Sequence, residues 1–517
     1  MKSNGRRLST RHRSSSPRWT HHEQRSLHPI KTVAVIGAGP AGLQAASQLL
    51  EAGLSARMFD RAPSPGGTWF YTDEVPVPEG YPDASPPIDS VPDHLPATRF
   101  IQEGEDGLAL DDRWREHWHP RPTITELPDL KYPPGTPWHA STHAVQRYVR
   151  AYASLHALNV NGNPAVTAYS TRVESIEKDN TTWALTLRKL DWHTDPASGT
   201  KLLREAYWTE TFDAVVAATG GQGRAYVPSI PGIGEWGQVT VDGRHCVKHA
   251  QQFRFPVDYA NKIVLIVGAM LSATEIARAI APYTSRLFVS VRHNPFRDSL
   301  DLDLIKFPNS TEMVAEIASF QTIPSGSRGI KNGRIHLIDG RVLEGIDEII
   351  LATGYRRDML LPDVNRDGWD AVYWTGHYVH DPTLVYTRYS PWLHGRYQSL
   401  AIAKVWTGRA RIPSSEQMIQ DIRDKKYFYG FTLTPLLYAA LVRQYVSWLN
   451  TQSLEFGGQF VDQYPLESRE SYAYFTDKFW KKDWISHADY AGFDQLPASE
   501  WHGAHAANEE LGKLLRW

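Results

Sequence analysis

The regular patterning begins at residues 32–36, TVAVI, a short apolar run rich in β-branched residues. A run with no polar alternation predicts a strand buried on both faces of a parallel sheet. Gly37-Ala38-Gly39-Pro40-Ala41-Gly42 follows, and then LQAASQLLEAG, an Ala- and Leu-rich stretch that predicts a helix closed by Gly53. The next run, SARMFD, ends on Asp60. The same order recurs later: KIVLIV (262–267), the turn 268–273, the helical TEIARAIAPY, and SRLFVSV (285–291) running into Arg292. Two more apolar runs, FDAVVAATGG (212–221) and DEIILATGY (347–355), each enter Ala-Thr-Gly. Units of strand, turn, helix and strand predict an α/β fold built on parallel sheets. The stretch 432–448 is broken by Arg443 and Gln444. It reads as an amphipathic core helix, not as the run of about 18 apolar residues that spans a bilayer.

Composition narrows the field. The chain has 517 residues, 41% hydrophobic and 22% charged, the balance of a soluble globular protein with length for several domains. Lys+Arg is 55 and Asp+Glu is 57, which supports neither a nucleic-acid partner nor an anionic membrane. The charge is unevenly spread, however. Residues 1–30 carry Lys2 and six arginines against Glu23 alone, so a basic tail precedes an acidic body. Its acid-poor, Ser-rich composition is that of a disordered extension, and it also suits an organelle transit peptide. With no apolar run it is not a secretory signal, so the expected location is cytoplasmic. Cys246 is the one cysteine, which excludes an internal disulfide, a CxxC redox pair and a Cys-rich zinc site. No spaced ligand set predicts a metal.

Residues 32–60 hold a whole dinucleotide fingerprint: strand, GxGxxG, helix, strand, acid. Gly37 permits the tight turn, Gly39 lets a pyrophosphate approach the backbone, and Gly42 lets the helix pack on the strand. Pro40 and Ala41 complete the turn before the helix whose N-terminus offers free N–H groups to phosphate, and are assigned to the same cofactor. Asp60 follows the last glycine at about the spacing of a carboxylate that binds ribose hydroxyls. An acid there disfavours a 2′-phosphate, so this unit is predicted to hold FAD or NAD and not NADP.

Gly66-Gly67-Thr68-Trp69 follows, and with it the sequence resembles the two-dinucleotide flavoproteins and, within them, the flavin-containing and Baeyer–Villiger monooxygenases. In that family such a segment lies beside the flavin, so Gly67, Thr68 and Trp69 are assigned to FAD. The resemblance implies an NADPH-binding pattern GxGxS[AG] in the second unit. Gly268, Ser272 and Ala273 match it, and Met270 stands where the pattern has glycine. A methionine side chain there must point away or occupy phosphate space, which sets NADPH binding in doubt. Arg292 sits where the family places a guanidinium for the 2′-phosphate. VPSIPGI and the second Ala-Thr-Gly, with Thr353 and Gly354, resemble the family's links between its nucleotide domains. Gln398-Ser399-Leu400-Ala401 resembles the segment before its last FAD-domain helix.

The implied architecture is two Rossmann-like domains, with the NADP-type domain inserted into a discontinuous FAD domain. The expected divisions are a tail at 1–30, FAD domain at 31–222, NADP-type domain at 223–345, and FAD domain with an aromatic-rich cover at 346–517. Half of the family's FxGxxxHxxx[YFW] motif is present, with His249 on its histidine and Phe253 on its last aromatic. Glu126, in Thr125-Glu126-Leu127-Pro128, falls where the family has an Asn facing the oxygen-reactive side of the flavin. His249 and Glu126 are therefore the candidate catalytic residues. The implied activity is an FAD-dependent monooxygenase that uses NADPH and O2 on a small organic substrate, by N- or S-oxygenation or Baeyer–Villiger insertion. The alternative is an FAD oxidase or dehydrogenase on the same scaffold that does not use NADPH.

Overall fold

The computed structural model describes residues 29–70, 91–102, 127, 129–130, 132–133, 142–220, 224–292, 307–356, 371–387, 392–424 and 435–462. Strands β1 (Thr32–Ile36), β2 (Ser55–Phe59), β4 (Thr167–Ala168), β8 (Ala214–Ala217) and β21 (Leu384–Tyr386) form one sheet in the order β21-β8-β1-β2-β4. Every neighbour pair in it is parallel. Strands β12 (Val247–His249), β13 (Ile263–Val267), β14 (Arg286–Ser290), β15 (Thr311–Val314) and β19 (Glu348–Leu351) form a second parallel sheet in the order β12-β19-β13-β14-β15. The two sheets repeat one plan. In each, the strand before the glycine turn sits between its following strand and the strand that leads into Ala-Thr-Gly.

Both sheets are covered on both faces, which is why their strands read as unbroken apolar runs. In the second unit, Val264, Ile266 and Val289 pack against Ala273 and Ala277 of helix α4 (Leu271–Ile280). Leu265, Phe288, Ile349 and Leu351 pack on the other side with Trp236 of the short helix α3 (Ile233–Gly237) and Phe320. That side is closed by the hairpin β10 (Thr240–Val241) and β11 (Arg244–His245), and by an antiparallel sheet of β16 (Ile317–Phe320), β17 (Arg334–Leu337) and β18 (Val342–Glu344). In the first unit, helix α1 (Pro40–Glu51) runs along helix α5 (Trp392–Trp406). They come close at Gly395, where a Cβ would lie 2.6 Å from Gln44 Nε2 and would push that side chain aside. Helices α2 (Thr142–Leu155), α6 (Ser415–Arg423) and α7 (Pro435–Phe456) complete the described elements. Among the described residues no helix is long and apolar enough to cross a membrane.

Two features depart from the sequence expectation. The division expected at 345 falls before β19, which pairs with β12 and β13, so the sheet of the second unit continues to Leu351. Also, residues 97–212 hold a four-stranded antiparallel sheet, β3 (Ala97–Gln102), β7 (Lys201–Phe212), β6 (Thr182–Thr194) and β5 (Thr171–Asp179) in that order. Its β7 buries Leu203, Glu205 and Tyr207 at alternate positions. The buried Glu205 carboxylate accepts from Arg188 at 2.6 Å and from Arg99. Removing Arg188 would cost about 3–5 kcal/mol, the usual penalty for breaking a buried ion pair. The tail at 1–28 and the aromatic tract 472–484 lie outside the described residues.

Candidate functional site

The first glycine turn is shaped by close contacts. Gly37 has φ +108°, and a Cβ there would lie 2.4 Å from Ala218 O, the first residue of Ala218-Thr219-Gly220. A Cβ on Gly42 would lie 1.8 Å from Gly37 O, so only glycine lets α1 approach this near. Gly67 backs onto Gly39, with room for no Cβ: it would sit 2.8 Å from Gly39 Cα. Gly66 N–H donates to Ala38 O at 3.0 Å, which ties the Gly66–Trp69 turn to the phosphate loop. The N-cap of α1 is Gly39, with no side-chain cap and no acid in the first turn. Its first-turn N–H groups are therefore left open to an anion.

Asp60 follows β2 and faces this loop. Its Oδ2 accepts from Ala38 N–H at 2.5 Å and its Oδ1 from Ala62 N–H at 2.7 Å. Burial pushes its carboxyl above the usual range, and the two N–H donors pull against that shift. Each oxygen keeps a lone pair for a ribose hydroxyl. Trp69 is edge-on to Trp392 at 5.3 Å, and Trp392 stacks on Tyr148 at 6.1 Å. The first residue of α5 thus packs against the Gly66–Trp69 turn. The open helix end, the fitted glycines and the carboxylate together suit a dinucleotide.

The second turn copies the first. Gly268 has φ +104°, and its Cβ would lie 2.4 Å from Ala352 O. Gly268 N–H donates to Ser290 O at 3.0 Å, as Gly37 N–H does to Phe59 O at 2.7 Å. The spacing is the same in both units, so Ser290 corresponds to Phe59 and Val291 to Asp60. The second cradle thus has an apolar residue where the first has its carboxylate, with exposed Arg292 next to it. Sequence reading singled out Arg292 and missed Val291, which equal counting from the two glycines would have found. Met270 is the N-cap of α4, at φ −104°, with no side-chain cap; its carbonyl accepts from Thr274 N–H at 3.0 Å. Its counterpart Gly39 has φ −74°, so neither position demands glycine for its backbone. What Met270 changes is space alone. Ser272 is half-buried in the first turn of α4.

The two connections between the units pair with each other. Strand β9 (Arg224–Ala225) runs antiparallel to β20 (Tyr355–Arg356). Tyr226 N–H donates to Gly354 O at 2.9 Å, and Thr353 Oγ1 donates to Tyr226 O. His249 joins this junction. Its Nε2 meets Gly354 O at 3.0 Å, and its Nδ1 accepts from Gln251 N–H at 3.2 Å. A carbonyl only accepts and an N–H only donates, so the proton sits on Nε2. Burial lowers the His249 pKa to about 4, with the Gly354 bond opposing. The expectation of a catalytic His249 meets a neutral, buried ring with both nitrogens engaged by backbone, which is a positioning geometry. Glu126 lies outside the described residues. Cys246 is buried, and burial raises its thiol pKa, so it is no thiolate nucleophile.

Residues 31–356 match the sequence model of the pyridine nucleotide-disulphide oxidoreductase family. The chain is 29% identical over 513 residues to the flavin-containing monooxygenase iboF of Amanita muscaria, covering 86% of this chain and 94% of that protein. It is 26% identical over 478 residues to the flavin-containing monooxygenase ustF2 of Aspergillus flavus, covering 81% and 92%. Among solved structures, the S-allyl-L-cysteine S-oxygenase from Allium sativum aligns over 93% of this chain and 99% of its own, with a TM-score of 0.58 at 20% identity. That likeness is one of fold.

Proposed function

The chain belongs to the pyridine nucleotide-disulphide oxidoreductase family and, within it, to the flavin-containing monooxygenases; from that premise we propose that it binds FAD in its first cradle and NADPH in its second, and oxygenates a small organic substrate. The observation that carries the assignment is a difference between two cradles that share the same first-glycine turn. Asp60 offers a carboxylate to a ribose, which suits FAD and repels a 2′-phosphate. Val291 and Arg292 offer no such repulsion and a guanidinium beside it. The disulphide chemistry in the family's name is not available to a chain whose one thiol is Cys246.

In this reading FAD supplies the electron and oxygen chemistry once bound. The chain's residues bind, orient and exclude water. Gly37, Gly39 and Gly42 let the loop meet the pyrophosphate, and the first turn of α1 with Pro40 and Ala41 presents its N–H groups. Gly67, Thr68 and Trp69 wall the adjacent space, with Trp392 behind them. Gly268, Ser272 and Arg292 take the same parts for the second nucleotide. Thr353 and His249 tie the paired connections together through side-chain bonds to the Tyr226 and Gly354 carbonyls, beside the backbone bond from Tyr226 N–H to Gly354 O.

The test is anaerobic addition of NADPH to the purified, FAD-loaded protein while its oxidised flavin absorbance is followed. Bleaching is expected. A flavin that stays oxidised at saturating NADPH would sink the reading.

A further inference from the structure

Helix α2 touches the first cradle at three places. Tyr152 OH lies 3.5 Å from Ser47 Oγ of α1. The Tyr148 ring stacks on Trp392, which is edge-on to Trp69. At the third place Arg150 Nη2 donates to Ser64 Oγ at 2.7 Å, and its guanidinium carbon lies 5.9 Å from the centre of the Phe70 ring. The first two contacts come from the face that seats the helix. Val145, Tyr148, Val149, Tyr152 and Ala153 are all buried and recur at the spacing of one helix face. Arg150 is half-buried and lies off that face, so α2 keeps its seat without it.

What Arg150 holds is a turn. Ser64 lies two residues before Gly66, and Phe70 directly follows Trp69. Between them the chain is wound tightly. Trp69 N–H donates to Gly66 O and Phe70 N–H to Gly67 O, both at 3.0 Å. A Cβ on Gly66 would lie 3.0 Å from Phe70 N, which shows how near the two ends come. The middle of the same turn bears on the phosphate loop, through Gly66 N–H to Ala38 O and the close approach of Gly67 to Gly39. One guanidinium thus grips both flanks of the segment whose middle abuts the loop.

Taking a cation partly out of water costs free energy, which a carboxylate partner usually offsets. Among the described residues no carboxylate pairs with Arg150. Its attachments are the Ser64 hydroxyl and the Phe70 ring. A guanidinium suits both at once, because it donates hydrogen bonds and is drawn to an aromatic ring. We propose that Arg150 is a positioning residue for the flavin: it clamps the Gly66–Trp69 turn against the phosphate loop, and the bound FAD is retained by that clamp. With the clamp gone, Gly67, Thr68 and Trp69 keep only their backbone bonds to hold them beside the cofactor. The inference rests on the assignment of FAD to this cradle.

The test is the rate at which flavin leaves the FAD-loaded protein after dilution, followed by the rise of free-flavin fluorescence. Arg150→Met keeps most of the side chain's length and loses both attachments. It should release FAD about tenfold faster, the effect of one lost charge-assisted hydrogen bond appearing in the off-rate. Arg150→Lys, which can still donate to Ser64 and lie against Phe70, should return most of the way to wild type. A release rate unchanged in Arg150→Met overturns the proposal. So does a faster release that Arg150→Lys leaves uncorrected, because Met and Lys fill similar space and only the clamp separates them. Should Arg150→Met not fold, Ser64→Ala decides: it removes the acceptor alone and should speed release about fivefold, and an unchanged rate refutes the clamp. A wild type that binds no FAD overturns the cofactor assignment and the role of Arg150 with it. A flavin-loaded wild type beside an unaltered Arg150→Met overturns the role alone.

Discussion

Replacing Val291 with Asp converts the second cradle to the pattern of the first at one position. In the first cradle the carboxylate stands near enough to the glycine loop to take Ala38 N–H at 2.5 Å. Val291 holds the matching place, one residue after the strand whose last carbonyl accepts from Gly268 N–H. A carboxylate there would face the ribose of the second nucleotide. Two unit charges about 5 Å apart repel by about 1 kcal/mol in water and about 3 kcal/mol at an effective dielectric near 20. Val291→Asp should therefore weaken NADPH about 5- to 150-fold. NADH carries a hydroxyl in place of that phosphate, so it gains an acceptor and should bind no worse. Anaerobic titrations of flavin reduction with each nucleotide give both affinities. If NADPH and NADH weaken together, the substitution has only disturbed the loop. If neither changes, residue 291 does not face the ribose and the correspondence with Asp60 is wrong.

Met270→Gly should tighten NADPH by about tenfold, roughly 1.4 kcal/mol of relieved crowding, because the extended backbone at 270 needs no change; an unaltered affinity would reject the argument about phosphate space. The buried histidines make stability acid-sensitive. His249 has a folded pKa of about 4, and His377 and His394 of about 3, all below the ordinary 6.5. Their contribution is therefore complete above pH 6.5 and is lost as pH falls towards 4 and 3, by about 1.4 kcal/mol per pH unit for each. Unfolding measured against pH should show about three protons taken up by these rings between pH 6 and 4.5, and His249→Gln should remove about one; no change in that slope would mean His249 is not buried in the neutral form.

Much of the site could be read from the sequence because its parts are local. Gly37, Gly39, Gly42 and Asp60 sit within one strand–turn–helix–strand unit, and the chemistry of each follows from spacing. The same locality marks Val291, which lies as far beyond Gly268 as Asp60 does beyond Gly37. The rest depends on contacts between distant segments. The place of β19 is set by pairing with β12 and β13, and an apolar run such as EIIL carries no mark of which sheet it joins. The antiparallel sheet was written in the alternation of Leu203, Glu205 and Tyr207, but a charged residue at an inward position hides that period until Arg188 and Arg99 are seen around it. His249 matched half a catalytic motif, and only the Gly354 carbonyl, 105 residues on, shows what holds its ring.

The pairing of β9 with β20 bears on how this chain is assembled. Arg224 and Tyr355 lie in facing strands, so the segment between them leaves and returns through neighbouring backbones about 5 Å apart. Topologically it is a closed loop on the first unit, with its ends already joined. Such a loop can fold, be excised or be exchanged without stretching its host, because joining ends that are already adjacent demands almost no further chain ordering. Where new linkers or fused modules are to be placed in this protein, the β9–β20 junction is the natural seam.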